Sequence, residues 1–265
     1  MGLATWLTVG GLGALLAPLV GHALAHVRAA ARKRRARSAC PFEDDDHDTL
    51  SVARATQLVV TESLLWWYAV ATAMHPPAAT APGSASGVPV VVLPPRFLPR
   101  ASVRTLVATL RRDGFIVICP RLAILARSRA ERVGALDRVL RGSWERSGAR
   151  LVDVIAPAGA APIVAAHLAS GGSGVPVIRR LLTIGAAGGG SPTIPSPTEV
   201  IAFYSGDDPL LGPLETARWP GAVNVAIRGF GRLGLLHAPY VYALIREHLL
   251  APPRACPSSW TSAAS

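Results

Sequence analysis

Charge is scarce in this chain, and acid is scarcer than base. Of its 265 residues 16% are charged and 50% apolar, with Asp+Glu 16 against Lys+Arg 27. A composition so apolar excludes a chain that stays unfolded for want of a core. Cysteine is nearly missing: Cys40, Cys119 and Cys256 make neither a disulfide framework nor a zinc-holding spacing. Loops that cradle phosphate are lacking too. GGSG at 171–174 follows a helical stretch, and GGGSP at 188–192 has neither the lysine nor the following helix, so no cofactor is expected. The formal net charge of +11 comes with no zinc module, aromatic RNA-binding strand or recognition-helix pattern. Thinly spread arginines on an apolar domain exclude a nucleic-acid face.

Leu3 to Val27 has no Asp, Glu, Lys or Arg. At ~1.5 Å per residue a helix of that length crosses a ~30 Å hydrocarbon layer. Arg28, Arg32, Lys33, Arg34, Arg35 and Arg37 follow the apolar run. A cleaved leader carries its positive charge first, so this order reads as a transmembrane helix with a basic stop. The positive-inside rule then places the rest in the cytoplasm, giving a single-pass protein of the cell membrane. A buried hairpin, an interfacial helix, or a signal peptide on an exported protein are the other readings. His22 and His26 share a helical face and suit the headgroup region better than a metal.

Residues 1–37 are therefore the anchor and its basic stop. Residues 38–87 hold an acidic linker (Glu43 to Asp48), an amphipathic helix and a Pro/Ala-rich loop. The helix, Leu50 to Met74, carries Arg54 and Glu62 and is a poorer second span than a surface element. Its Trp66, Trp67 and Tyr68 suit either a membrane surface or packing on the domain.

Residues 88–252 alternate short apolar runs with helical stretches. Strands are expected at 90–93, 115–119, 151–155, 180–185, 199–204 and 222–227, and helices at 101–112, 129–146, 158–169 and 239–250. Continuous apolar strands separated by helices imply an α/β domain, its sheet mostly parallel and covered on both faces. Residues 253–265 read as a flexible tail.

Six fragments then stand in a familiar order: PVVVLPPRF at 89–97, GFIVICP at 114–120, VDVIAPAGAAPIVAAHLA at 152–169, RLLTIGAAGGGSP at 180–192, YSGDDPL at 204–210 and GFGRLGLLHAP at 229–239. Together they resemble the α/β-hydrolases, in particular the bacterial triacylglycerol lipase and esterase branch. The resemblance covers about 160 residues, and it implies a serine nucleophile at a strand–turn–helix elbow, an acid and a histidine. Here the elbow position is Ala158 and the histidine position is Arg232, while the acid is kept as Asp208 beside Asp207. A methyl group forms no acyl intermediate, and guanidinium does not act as general base. Pro94 and Pro95 replace the family's His-Gly pair. The backbone donors of the oxyanion hole fall on Arg96 and Gly159, neither of which is proline.

These departures imply a membrane-tethered pseudoenzyme that binds or scaffolds. The Arg232–Asp208 pair is open to two readings, a static clamp between loops or part of an anion site. Small residues around Ala158 leave an apolar floor suited to an acyl chain or other apolar molecule. The other class is an active esterase with relocated groups, for which Ser191, Ser205 and His237 are the weak candidates. His167 and Cys119 read as packing residues.

Overall fold

A computed structural model describes residues 52–73, 87–95, 98, 100–120, 128–171, 176–187, 194, 198–208 and 217–252. The expected anchor, basic stop, acidic linker and tail lie outside the described residues. Among the described residues, no helix is long and apolar enough to cross a membrane.

Six strands form one sheet: β1 (Val90–Val92), β2 (Val117–Ile118), β3 (Leu151–Pro157), β4 (Val177–Ile184), β5 (Glu199–Ser205) and β6 (Val223–Ile227). Their order is β2-β1-β3-β4-β5-β6, and every neighbouring pair is parallel. Parallel pairing requires a crossover at each step, and the helical stretches between strands supply most of these. The helices are α1 (Val52–Ala73), α2 (Arg104–Arg112), α3 (Arg129–Ser147), α4 (Ala161–Ala169), α5 (Arg232–His237) and α6 (Pro239–Leu250).

Alternation along each strand divides the core in two. Val90 and Val92 pack with Leu106 and Leu110 of α2 and Val241 and Ile245 of α6. Val91 and Val154 pack on the other face with Leu136 and Leu140 of α3 and Val164 and Ala165 of α4. Each apolar side chain so buried contributes on the order of 1.5–3 kcal/mol. The ends of α3 show local sequence at work. Ser128 accepts the Glu131 N–H at 3.1 Å, and Gly148 closes the helix at φ +67°.

Three elements depart from expectation. β2 is shorter than 115–119 because its one partner, β1, ends before Pro94-Pro95 and offers a two-residue register, Val90 to Val117 and Val91 to Ile118. The helix expected from 158 begins at Ala161, after a tight 3₁₀ turn over Ala158–Ala160. The helix α5 was not foreseen in the glycine-rich 229–239 segment.

Candidate functional site

In a parallel sheet, ligands bind beyond the carboxyl ends of the strands, where the strand order reverses direction. Here that point lies between β1 and β3, since the chain moves outward from β1 to β2 and then crosses to β3. Pro157 ends β3 with φ −69°, and the chain turns immediately through Ala158 at φ +43°. Ala158 is the one non-glycine residue with positive φ among the described residues. A left-handed conformation costs an L-residue about 1–2 kcal/mol. The strained strand–turn–helix of a nucleophile elbow is thus present, with a methyl group where the elbow displays its reactive atom.

Ala158 and Gly159 face a cavity of about 270 Å³, lined also by Pro95, Arg232, Leu233 and Leu236. Its wall is mostly apolar, and Arg232 is the charged side chain on it. Gly159 follows the elbow residue and lines the same cavity. Arg96, the other expected donor, lies outside the described residues.

Arg232 opens α5 and meets the acid the sequence pointed to. Its Nε donates to Asp208 Oδ2 at 3.2 Å; Asp208 is wholly buried, and the Arg232 side chain is 27% exposed. The bond runs through Nε to one oxygen rather than the two-pronged pairing of which arginine is capable. Gly185, at φ +60° after β4, makes the approach possible: a Cβ there would stand 3.1 Å from Arg232 Cγ. Asp207, beside the acid, accepts the Gly229 N–H at 2.6 Å and ties the acid loop to the segment before α5.

Glu62 completes this corner, and the sequence did not assign it a role there. It projects from α1, which packs on α5 and on the 3₁₀ turn Arg100–Val103. Buried to 1% exposure, its carboxylate accepts the N–H groups of Leu233 and Gly234, each at 2.7 Å. Gly231 is shaped to it, because a Cβ there would lie 2.5 Å from the Glu62 carboxyl. Burial pushes the Glu62 carboxyl up to about 7, opposed by the two N–H donors; Asp208 adds to the rise and Arg232 counters it. The signals were one acid in an apolar helix and glycines three apart around Arg232. Neither signal names its partner across so long a stretch of chain.

Of the relocated-catalysis candidates, Ser205 and His237 are among the described residues. Ser205 is buried, and its hydroxyl accepts the Asp207 N–H at 3.2 Å within the acid turn. His237 ends α5 with its Nε2 buried and unpartnered; burial lowers its pKa, and its ring stands edge-on to Tyr68 at 6.0 Å. Ser191 lies outside the described residues. His167 is buried in α4, and burial lowers its pKa against the pull of Asp137. Cys119 is a buried free thiol whose pKa burial raises in spite of Arg100, which suits packing rather than attack. Among the described residues, no group of three or more His, Cys, Asp or Glu side chains is placed to hold a metal ion.

The sequence matches no protein-family model and no curated protein. Solved structures do match. Lipase B of Aspergillus fumigatus superposes with a TM-score of 0.56 at 15% identity, over 70% of this chain and 57% of the lipase. A lidless α/β serine hydrolase of Xanthomonas campestris gives 0.52 at 14% identity, over 67% of this chain and 88% of its own. The fold is that of the α/β-hydrolases. At such identities the likeness speaks for the fold alone, and this chain spans little more than half of the lipase. Within an α/β-hydrolase fold, a methyl group at the elbow and a guanidinium paired to the acid leave the cavity without a nucleophile–base couple among the described residues.

Proposed function

We propose that this chain is a non-catalytic α/β-hydrolase-fold protein, tethered to a membrane by residues 3–27 with its domain on the cytoplasmic side, and that its cavity binds an apolar ligand bearing an acidic head. The observation that carries the reading is Ala158. The elbow keeps its strained φ of +43° and its place on the cavity wall but presents no atom able to attack a carbonyl. Arg232 supports the binding half of the proposal. Its Nε serves Asp208, and it lines the same cavity as Gly159. Its terminal nitrogens and the Gly159 N–H are the groups to receive a carboxylate, with Leu233 and Leu236 against the chain.

The test is hydrolysis of short- and medium-chain p-nitrophenyl esters by the full chain in detergent, beside an Ala158→Ser/Arg232→His variant. The native chain stays at the rate of buffer with albumin, while the double variant turns over slowly and takes a fluorophosphonate label. Saturable turnover by the native chain, with one labelled residue, overturns the reading.

A further inference from the structure

α1 has two faces of different kinds. The inward one carries Leu58, Glu62 and Ser63, all buried. The outward one carries Val60, Leu64 and Tyr68, which are 52%, 64% and 50% exposed. Spaced four apart, they form one stripe along three successive turns. The polar residues interleaved with them, Thr56, Gln57 and Thr61, are uncharged and exposed. The helix has two charged residues, Arg54 and Glu62, and Glu62 points into the domain. A helix on a solvated surface ordinarily carries charge on its outer face. Among the described residues, the other large exposed apolar ones, Trp144, Val177, Tyr240 and Leu250, are not aligned on one helix face in this way.

What covers the stripe is indicated by the chain that leads to it. The apolar run ending at Val27 and the basic run Arg28–Arg37 precede α1, and residues 28–51 join them to it. A flexible segment of that length has an end-to-end distance of about 25–30 Å. A coil of that length anchored at Val27 leaves the start of α1 on average about 25–30 Å or less from the lipid surface, near enough to rest on it. The three adjacent aromatics sit toward the far end of the helix. Trp66 and Trp67 are half-buried and stack edge-on at 5.2 Å, and Tyr68 turns outward. Aromatic rings with a polar tip favour the headgroup boundary.

We propose that the Val60–Leu64–Tyr68 face of α1 lies in the interface of a phospholipid bilayer, so that the domain rests on the membrane instead of swinging free below its anchor. The proposal rests on the tethered reading above and adds an orientation to it. α1 reaches the cavity through one intervening helix: Glu62 holds the backbone of Leu233, Leu233 and Leu236 line the cavity, and the Tyr68 ring abuts His237. A docked α1 thereby stands between the lipid and the cavity's α5 wall, one helix away from it.

The experiment uses the full chain in nanodiscs of phosphatidylcholine and phosphatidylglycerol, with Cys40, Cys119 and Cys256 replaced by serine. An environment-sensitive nitrobenzoxadiazole label is placed at Leu64→Cys or, as a control, at exposed Arg138→Cys on α3. Brominated lipid is expected to quench the Leu64 label about twofold and leave the Arg138 label unchanged. Chains that fail to co-elute with the discs overturn the tether itself, and this proposal with it. Co-elution without quenching at position 64 overturns the docking and leaves the tether standing. Shielding of position 64 that needs two chains per disc assigns the stripe to a second copy and overturns the lipid assignment.

Discussion

Two arginine–carboxylate pairs, each with one buried member, sit at opposite ends of the same sheet, and they are used differently. Arg180, 1% exposed at the start of the β4–β5 ladder, donates Nε to Glu199 at 2.8 Å and its terminal nitrogens to the carbonyls of Leu249 and Ala251. Its nitrogens are thus shared among three partners, which fasten the end of α6 to the sheet. Arg232, at the other end, gives Nε to Asp208 and lies on a cavity wall. A fully engaged guanidinium is a fastener, while one engaged through Nε alone still has the four N–H groups of its two terminal nitrogens to offer a ligand. The difference separates the clamp reading of Arg232 from the binding reading.

The comparison breaks most visibly at Arg180. Arg180→Met leaves a partly buried carboxylate and two carbonyls without their donor, and stability should fall by about 4 kcal/mol in urea unfolding. A loss under about 1 kcal/mol would mean that water replaces the guanidinium and that Arg180 fastens little.

Glu62 gives the next largest effect, and its sign follows from its position. Its folded pKa of about 7 stands above the ordinary 4.5, so between those values the native chain keeps a proton that the unfolded chain has released. Its contribution therefore declines as pH rises from 4.5 to 7 and is level above. Over the window the change approaches about 3 kcal/mol. Asp153 is raised in the same direction by burial, and His167 and His237 act oppositely, so the readout is the difference between the native chain and Glu62→Gln. That difference should vary between pH 5 and pH 8. A constant difference would place Glu62 ionised throughout, held so by the Leu233 and Gly234 N–H groups.

Arg232→Lys sharpens the contrast at smaller scale. Lysine keeps the charge near Asp208 but loses the planar fork. Stability should change by less than about 1 kcal/mol, while affinity for a fluorescent long-chain carboxylate falls about tenfold, which corresponds to ~1.4 kcal/mol. Equal binding by the two chains would leave the clamp reading in possession.

Much of the scaffold was legible because its signals are local. Apolar runs such as VVV at 90–92 and EVIAFYS at 199–205 are buried strands, and the capping serine and terminal glycine of α3 mark its ends. The pairing of Arg232 with Asp208 was legible through the order of the fragments, since their sequence separation offers no local signal. The corner built by Glu62 was not. A carboxylate bound to backbone N–H groups leaves no pattern in its partners' side chains, and Leu233 and Gly234 look like any residues in a glycine-rich loop. α5 was hidden for a related reason. Gly231 and Gly234 read as loop, whereas they are small because the Glu62 carboxyl occupies the space a Cβ would need.

The smallest effect tests whether the elbow stores strain at all, and two left-handed positions provide the scale. Gly148 has φ +67° at the end of α3, and a Cβ there would meet nothing within 4 Å. Gly148→Ala should therefore cost about 1 kcal/mol from backbone conformation alone. Ala158→Gly is the reverse change at φ +43°. It relieves about 1–2 kcal/mol of left-handed strain. The unfolded glycine chain returns part of that through its extra freedom, leaving a net gain of about 0.5–1 kcal/mol. The two variants should shift the urea midpoint in opposite directions. Should Ala158→Gly instead destabilise the chain, the methyl contributes more by filling the cavity floor than its backbone costs, and alanine at the elbow would then be a packing choice for the ligand site rather than a residue of lost catalysis.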